Sequence, residues 1–262
     1  MFIRPQTGGR MTRVIGIVSG KGGVGKTTTV VNLSAALMEF KKNVVAVDAD
    51  IKMSGLGLHL GMYYFPITLN DVLMDRGKLF EALYIHSSGL RIIPASLSSE
   101  DVNIYRLKEV LDDPFLENNI VLVDGPPGLE KNAMTIMKVC PEMLIVTTPE
   151  IPAITDALKI VSTCKKNNTK PIGVIVNMYK SRELNQVTPK EIESTFELPV
   201  IGVVPEDKDI KRGIFKGVPG VLINPYSPAS IAYKKIAAHL IGENYKPPRY
   251  FMLKQFLRRL KK

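Results

Sequence analysis

The amino-acid sequence predicts a doubly wound α/β domain, with a mostly parallel sheet covered by helices on both faces. Two observations lead there. Short runs rich in Val and Ile alternate with longer stretches of helical period between residues 13 and 242. The short runs are apolar on consecutive positions, and not on every second one. That pattern suits strands buried on both faces, as in a parallel sheet packed between helices.

In chain order, strands are expected at 14–19, 43–47, 90–94, 120–123, 143–147, 172–176 and 200–204. The clearest helices between them are expected at 27–39, 154–165 and 231–241. Lys246, Pro247 and Pro248 form a break after the last of these, because proline cannot continue a helix. The chain therefore divides into an N-terminal extension, 1–12, to which no role is assigned, a domain over 13–245 and a tail over 246–262.

Composition narrows the function classes. Hydrophobic residues make up 45% of the 262 and charged residues 23%, which are ordinary globular values and argue against disorder or a coiled coil. No run of about 18 apolar residues could span a bilayer, and the first residues lack the apolar stretch of a secretory signal. Cys140 and Cys164 form no Cys-x-x-Cys pair, so neither a disulfide scaffold nor a metal-thiolate site is indicated. A soluble, cytoplasmic protein is expected. The net charge of +10 is unevenly placed: residues 246–262 hold seven Lys or Arg and no acid, leaving an excess of only about three on the rest.

Directly after the first strand come Gly20, Lys21, Gly22, Gly23, Val24, Gly25, Lys26 and Thr27, followed by Thr28. This satisfies the pattern G-x-x-x-x-G-K-[ST] between a strand and a helix. Glycines let the backbone curl so that its N–H groups face phosphate oxygens, and the helix that follows adds its positive end. Lys26 is placed to neutralise phosphate charge, and the Thr27 hydroxyl to ligate Mg²⁺. Asp48 and Asp50 end the second strand, and Asp124 ends the run Ile120–Val123. Carboxylates at strand carboxyl ends stand where open α/β sheets place their ligands.

With its second lysine, Lys21, the string KGGVGKTT resembles the deviant Walker A motif of the MinD/ParA family of P-loop ATPases. The resemblance covers residues 13–242 in order, and it implies ATP and Mg²⁺ as cofactors and an ATP-dependent homodimer. Lys21 would reach the partner's bound phosphates, Asp48 and Asp124 would join Thr27 around the metal, and Asp50 would orient the attacking water. Asn177, Pro205, Glu206 and Asp207 match the family's adenine-binding positions. One departure stands out: Gly55 occupies a position where family members often carry asparagine, so a nucleotide-sensing side-chain contact is missing there.

On a helix over 251–262, Met252, Leu253, Phe256, Leu257 and Leu260 share one face, while Lys254, Arg258 and Arg259 mostly take the other. That is the pattern of a helix lying in a membrane interface. A helix docked on its own domain and a nucleic-acid arm are the alternatives, though phosphate contact needs no regular apolar face. The tail also resembles the membrane-targeting segment of MinD-like members. The expectation is thus a MinD-like ATPase that attaches to an anionic membrane surface when ATP-bound and recruits a MinC- or MinE-like effector, acting in septum or polar positioning. A flagellar-number regulator of the same superfamily is the near alternative. A ParA-type partition ATPase binding non-specific DNA is disfavoured by the near-neutral body.

Overall fold

The computed structural model describes residues 12–97, 102–167, 169–183 and 185–248. The amphipathic segment expected over 251–262 and all but Thr12 of the N-terminal extension lie outside the described residues.

Eight strands form one sheet: β1 (Arg13–Val18), β2 (Val44–Asp48), β3 (Tyr84–Ile85), β4 (Arg91–Ile93), β5 (Ile120–Asp124), β6 (Glu142–Thr147), β7 (Lys170–Tyr179) and β8 (Val200–Pro205). Their order is β3-β4-β2-β5-β1-β6-β7-β8, and every pairing is parallel except β3 with β4. The seven expected strands all form. β3 was not expected, because two residues with Ile85 largely exposed leave no apolar run to read. β7 starts earlier than expected and shifts register beside Met143 and Leu144, next to Pro171, which has no N–H to give the ladder.

Neighbouring residues of one strand serve opposite cores. Ile15 and Ile17 pack with Leu33, Leu37, Tyr233 and Ile236, from helix α1 (Lys26–Glu39) and the helix Pro228–Leu240. Val14 and Val18 pack on the other face with Ile136, Ile160 and Val161, from Lys131–Val139 and Ile151–Lys166. Burial on both faces explains the uninterrupted apolar runs. Cys140 and Cys164 are buried among the residues of the second core, where burial pushes both thiols up and leaves them as small packing groups.

α1 follows β1 at the middle of the sheet, where successive strands depart to either side, so its N-terminus meets the crevice at the carboxyl ends of the strands. Asn32 holds this helix in place. Its Nδ2 donates to the Thr28 carbonyl at 2.8 Å, and its Oδ1 accepts from the Val221 N–H at 3.0 Å. With Asn32 only 2% exposed, replacing it by alanine strands that buried N–H. Asn32→Ala is expected to lower stability by about 1–3 kcal/mol, read as a lower urea midpoint at unchanged slope.

Candidate functional site

The loop from Gly20 to Gly25 joins β1 to α1 and needs its glycines for different reasons. Gly23 and Gly25 have φ of +78° and +90°, a region costly for side chains bearing Cβ. A Cβ on Gly20 would stand 2.2 Å from the backbone of Asp156, so the helix Ile151–Lys166 can pack there only against glycine. Around Gly22 and Gly23 a Cβ would meet nothing within 4 Å, so the rim of the loop is open. Lys21, Gly22 and Gly23 are exposed, while Val24 and Lys26 are buried.

Two carboxylates, Asp124 and Asp50, act on Lys26, and a third, Asp48, stands beside Asp124. Asp48 and Asp124 are register partners at the ends of β2 and β5, and Asp50 follows two residues later. Burial lowers the Lys26 ammonium, and the charges of Asp124 and Asp50 oppose that shift. Burial also raises Asp48 and Asp124; the Asp48 charge raises Asp124 further across the neighbouring strands, and the Asp50 charge raises Asp48. Asp50 is raised by burial, with the Met53 N–H and the Lys26 charge acting the other way. The Thr27 hydroxyl faces the Asp124 carboxyl and favours its charged form, while Asp124 Oδ1 is buried with no hydrogen-bond partner.

Asp48 is the better satisfied of the pair. Its Oδ2 accepts from the Ser54 hydroxyl at 2.9 Å and from the N–H groups of Gly55 and Leu56 at 3.0 Å each, and its Oδ1 accepts from the Asp50 N–H at 3.2 Å. These bonds fold residues 50–56 back over the loop. A Cβ at Gly55 would lie 3.6 Å from Thr27 Oγ1, so this is the point where a longer side chain would overhang the loop. His59 completes the closure. One ring nitrogen lies 3.2 Å from the Thr28 hydroxyl, and the other lies 3.0 Å from the Gly55 carbonyl oxygen. Sequence reasoning left Ser54 and His59 without a role, since neither stands in a recognisable motif; their importance arises only when the chain turns back on itself.

Asn177, buried on β7, donates from Nδ2 to the Val24 carbonyl at 2.8 Å, and the same amide lies where a Cβ on Gly25 would be. Beyond it, a cavity of about 480 Å³ opens between the ends of β7 and β8, lined by Tyr179, Lys180, Arg182, Pro205 and Glu206. Glu206 is ion-paired with Lys211. Asp207 points elsewhere: its two oxygens accept from the N–H groups of Asp209 at 2.9 Å and Ala229 at 3.1 Å, capping two helices at once.

An exposed glycine cradle, a buried lysine beside a cluster of strand-end carboxylates and a separate cavity two strands away together describe a nucleotide site, and the comparisons with known proteins agree. Residues 15–220 match the family described as the CobQ/CobB/MinD/ParA nucleotide binding domain. The chain belongs to this family. It is 41% identical over 238 residues to an uncharacterized ATP-binding protein of Methanocaldococcus jannaschii, covering 90% of each chain. The septum site-determining protein MinD of Pyrococcus horikoshii, solved as a complex with Mg-ADP, is 37% identical, with a TM-score of 0.81 over 88% of this chain and 96% of that one. The MinC:MinD complex of Aquifex aeolicus matches at 29% identity and a TM-score of 0.82, over 91% of this chain and 99% of that one. The fold is therefore that of the MinD-type P-loop ATPases.

The carboxylate pair makes stability depend on pH. A carboxyl whose folded value lies above its unfolded one, near 3.9, burdens the fold only once it must ionise, so stability falls as pH rises through the raised values. Without nucleotide or Mg²⁺, the urea midpoint is expected to fall between about pH 5 and pH 8 by an amount worth on the order of 2 kcal/mol. Asp124→Asn should flatten most of that slope.

Proposed function

We propose that this chain is a MinD-like, Mg²⁺-dependent ATPase that converts ATP and water to ADP and phosphate. In this reading it dimerises with ATP and attaches to the membrane by the tail 246–262, while residues 13–245 form the ATPase domain. The observation that carries the reading is the buried Asp124 Oδ1, left without a partner beside Thr27 and Lys26 at the foot of an open glycine cradle. An oxygen so placed fits a divalent cation that the strand ends alone do not supply.

The residues present fit both groups. Thr27, Asp48 and Asp124 would hold Mg²⁺, whose part is to neutralise charge on the β- and γ-phosphates. The loop N–H groups from Gly20 to Thr28 and the Lys26 ammonium would cradle the phosphates, and the cavity at Pro205 and Glu206 would take the base, with Asn177 fixing the loop beside it. Asp50, half-buried and placed beside Lys26, would orient the attacking water. Exposed Lys21 would supply a cation across the dimer, so that charge stabilisation is complete only when two chains meet. That dependence makes hydrolysis a timer for association.

Membrane attachment follows the same logic. Each Lys or Arg near an anionic leaflet contributes about 1 kcal/mol, and one short apolar face adds modestly, so a single tail binds weakly. Two tails held in one dimer gain about 10²–10⁴-fold when both reach the surface. ATP would then place the protein on the inner face of the cell membrane, and hydrolysis would return it to the cytoplasm. The similarity to a MinC:MinD complex supports a MinC-like effector as partner, in the spatial positioning of cell division or a polar structure.

Lys26→Ala is expected to abolish phosphate release, and Asp50→Ala to slow it by about 10²-fold or more while retaining an ATP-dependent dimer by size-exclusion chromatography. Rapid hydrolysis by Asp50→Ala would remove its assigned role. In co-sedimentation with anionic liposomes, the full chain should pellet in ATP and much less in ADP. Leu257→Glu should stay in the supernatant with nucleotide binding intact, and equal pelleting of that variant would rule out the tail as anchor.

A further inference from the structure

The helix Lys208–Lys216 buries Ile210 and Gly213, and at helical spacing its solvent face is centred on Phe215, which is 91% exposed. Lys208, Lys211, Arg212 and Lys216 surround that ring on the same face. Glu206 pairs with Lys211, but among the described residues no carboxylate forms an ion pair with Lys208, Arg212 or Lys216. A bare phenylalanine in a ring of cations has no use in a folded core.

Two more exposed aromatic residues lie in the loop packed against the end of this helix. The loop after Leu60 carries Tyr63 and Tyr64, 71% and 82% exposed. This loop is clamped to the end of the helix: a Cβ on Gly217 would lie 2.9 Å from the backbone of Leu60 and Gly61. The buried His86 ring faces the backbone of both Leu60 and Gly217, so the turn that carries it packs against the same junction. The aromatic groups are thus presented on a fixed platform.

The platform lies toward the end of the domain from which the tail departs. His86 stands in the turn between β3 and β4, and in that turn a Cβ on Gly89 would lie 3.4 Å from Met38, near the end of α1. Tyr245, close to the last described residue, packs edge-on against Phe40 at that same end of α1, with ring centroids 6.1 Å apart.

We propose that Phe215, with Tyr63, Tyr64 and the basic residues around it, is a second contact with an anionic lipid surface, built into the ATPase domain. The proposal rests on the membrane reading given above and adds an orientation to it. Charge selects the occupant. The basic tail would be repelled by this face, and so would a second copy of the face, whereas an anionic leaflet matches the cations and admits the rings at headgroup depth. The tail alone tethers a domain free to tumble, while a second contact fixes which way the domain faces.

The chain has no tryptophan, so Phe215→Trp in the full chain reports from one place. With ATP, vesicles of phosphatidylcholine and phosphatidylglycerol should shift its emission to the blue, and pure phosphatidylcholine should not. A tryptophan at exposed Tyr105 should stay unshifted with either vesicle. Phe215→Ser should weaken binding to the anionic vesicles about tenfold, and Arg212→Gln with Lys216→Gln should reduce its salt dependence. Unshifted emission at position 215, with Leu257→Glu still abolishing attachment, would overturn the second contact and leave the tail as sole anchor. Failure of the unsubstituted chain to bind vesicles in either nucleotide would overturn both. A shift on adding duplex or single-stranded DNA, and none with vesicles, would make this a nucleic-acid face and also overturn the proposal.

Discussion

Asp48 and Asp124 end adjacent parallel strands in the same register, both buried, and much of the surrounding site answers to that placement. Two carboxylates taken out of water side by side favour protonation or a cation. The fold supplies Lys26, itself disfavoured by burial, and directs the hydroxyl of Thr27 at Asp124. What it leaves undone is one oxygen of Asp124. The site is therefore stable enough to fold but unfinished, and it gains most from a ligand carrying both a divalent cation and phosphate oxygens.

The same pair controls the segment above it. Because Asp48 is satisfied by Ser54 and by the backbone of Gly55 and Leu56, the position of residues 50–56 depends on the state of that carboxylate. His59 then connects Gly55 to Thr28 at the start of α1. Short polar contacts thus connect the start of α1 to Gly55, Asp48, Asp50 and the exposed Met53. With glycine at position 55 the segment is held by its backbone, and the overhang above Thr27 stays open.

Much of this was legible in the sequence because it depends on local pattern. Consecutive apolar positions identified the strands that are buried on both faces, and the glycine loop and the strand-end aspartates are motifs with a fixed place in such a sheet. The remainder depends on contacts that the chain makes only after folding. Ser54 and His59 are isolated polar residues until the segment turns back on Asp48. Asp207 carries a family signature, yet its carboxylate caps two helices, because the backbone direction after β8 decides where it points. β3 is too short to show a period, and the exposure of Phe215 is visible only once the helix is seen to bury Ile210 and Gly213.

The claim that a metal-bound nucleotide completes the carboxylate pair has a direct thermodynamic test. Titrating Mg²⁺ with ADP calorimetrically, in buffers of different ionisation enthalpy near pH 6.5, measures the protons exchanged on binding. Carboxyls raised by burial and mutual repulsion must release protons as the cation arrives, so net release is predicted, and Asp124→Asn should remove most of it. Binding that is independent of Mg²⁺, or that depends on it without proton release, would contradict the account.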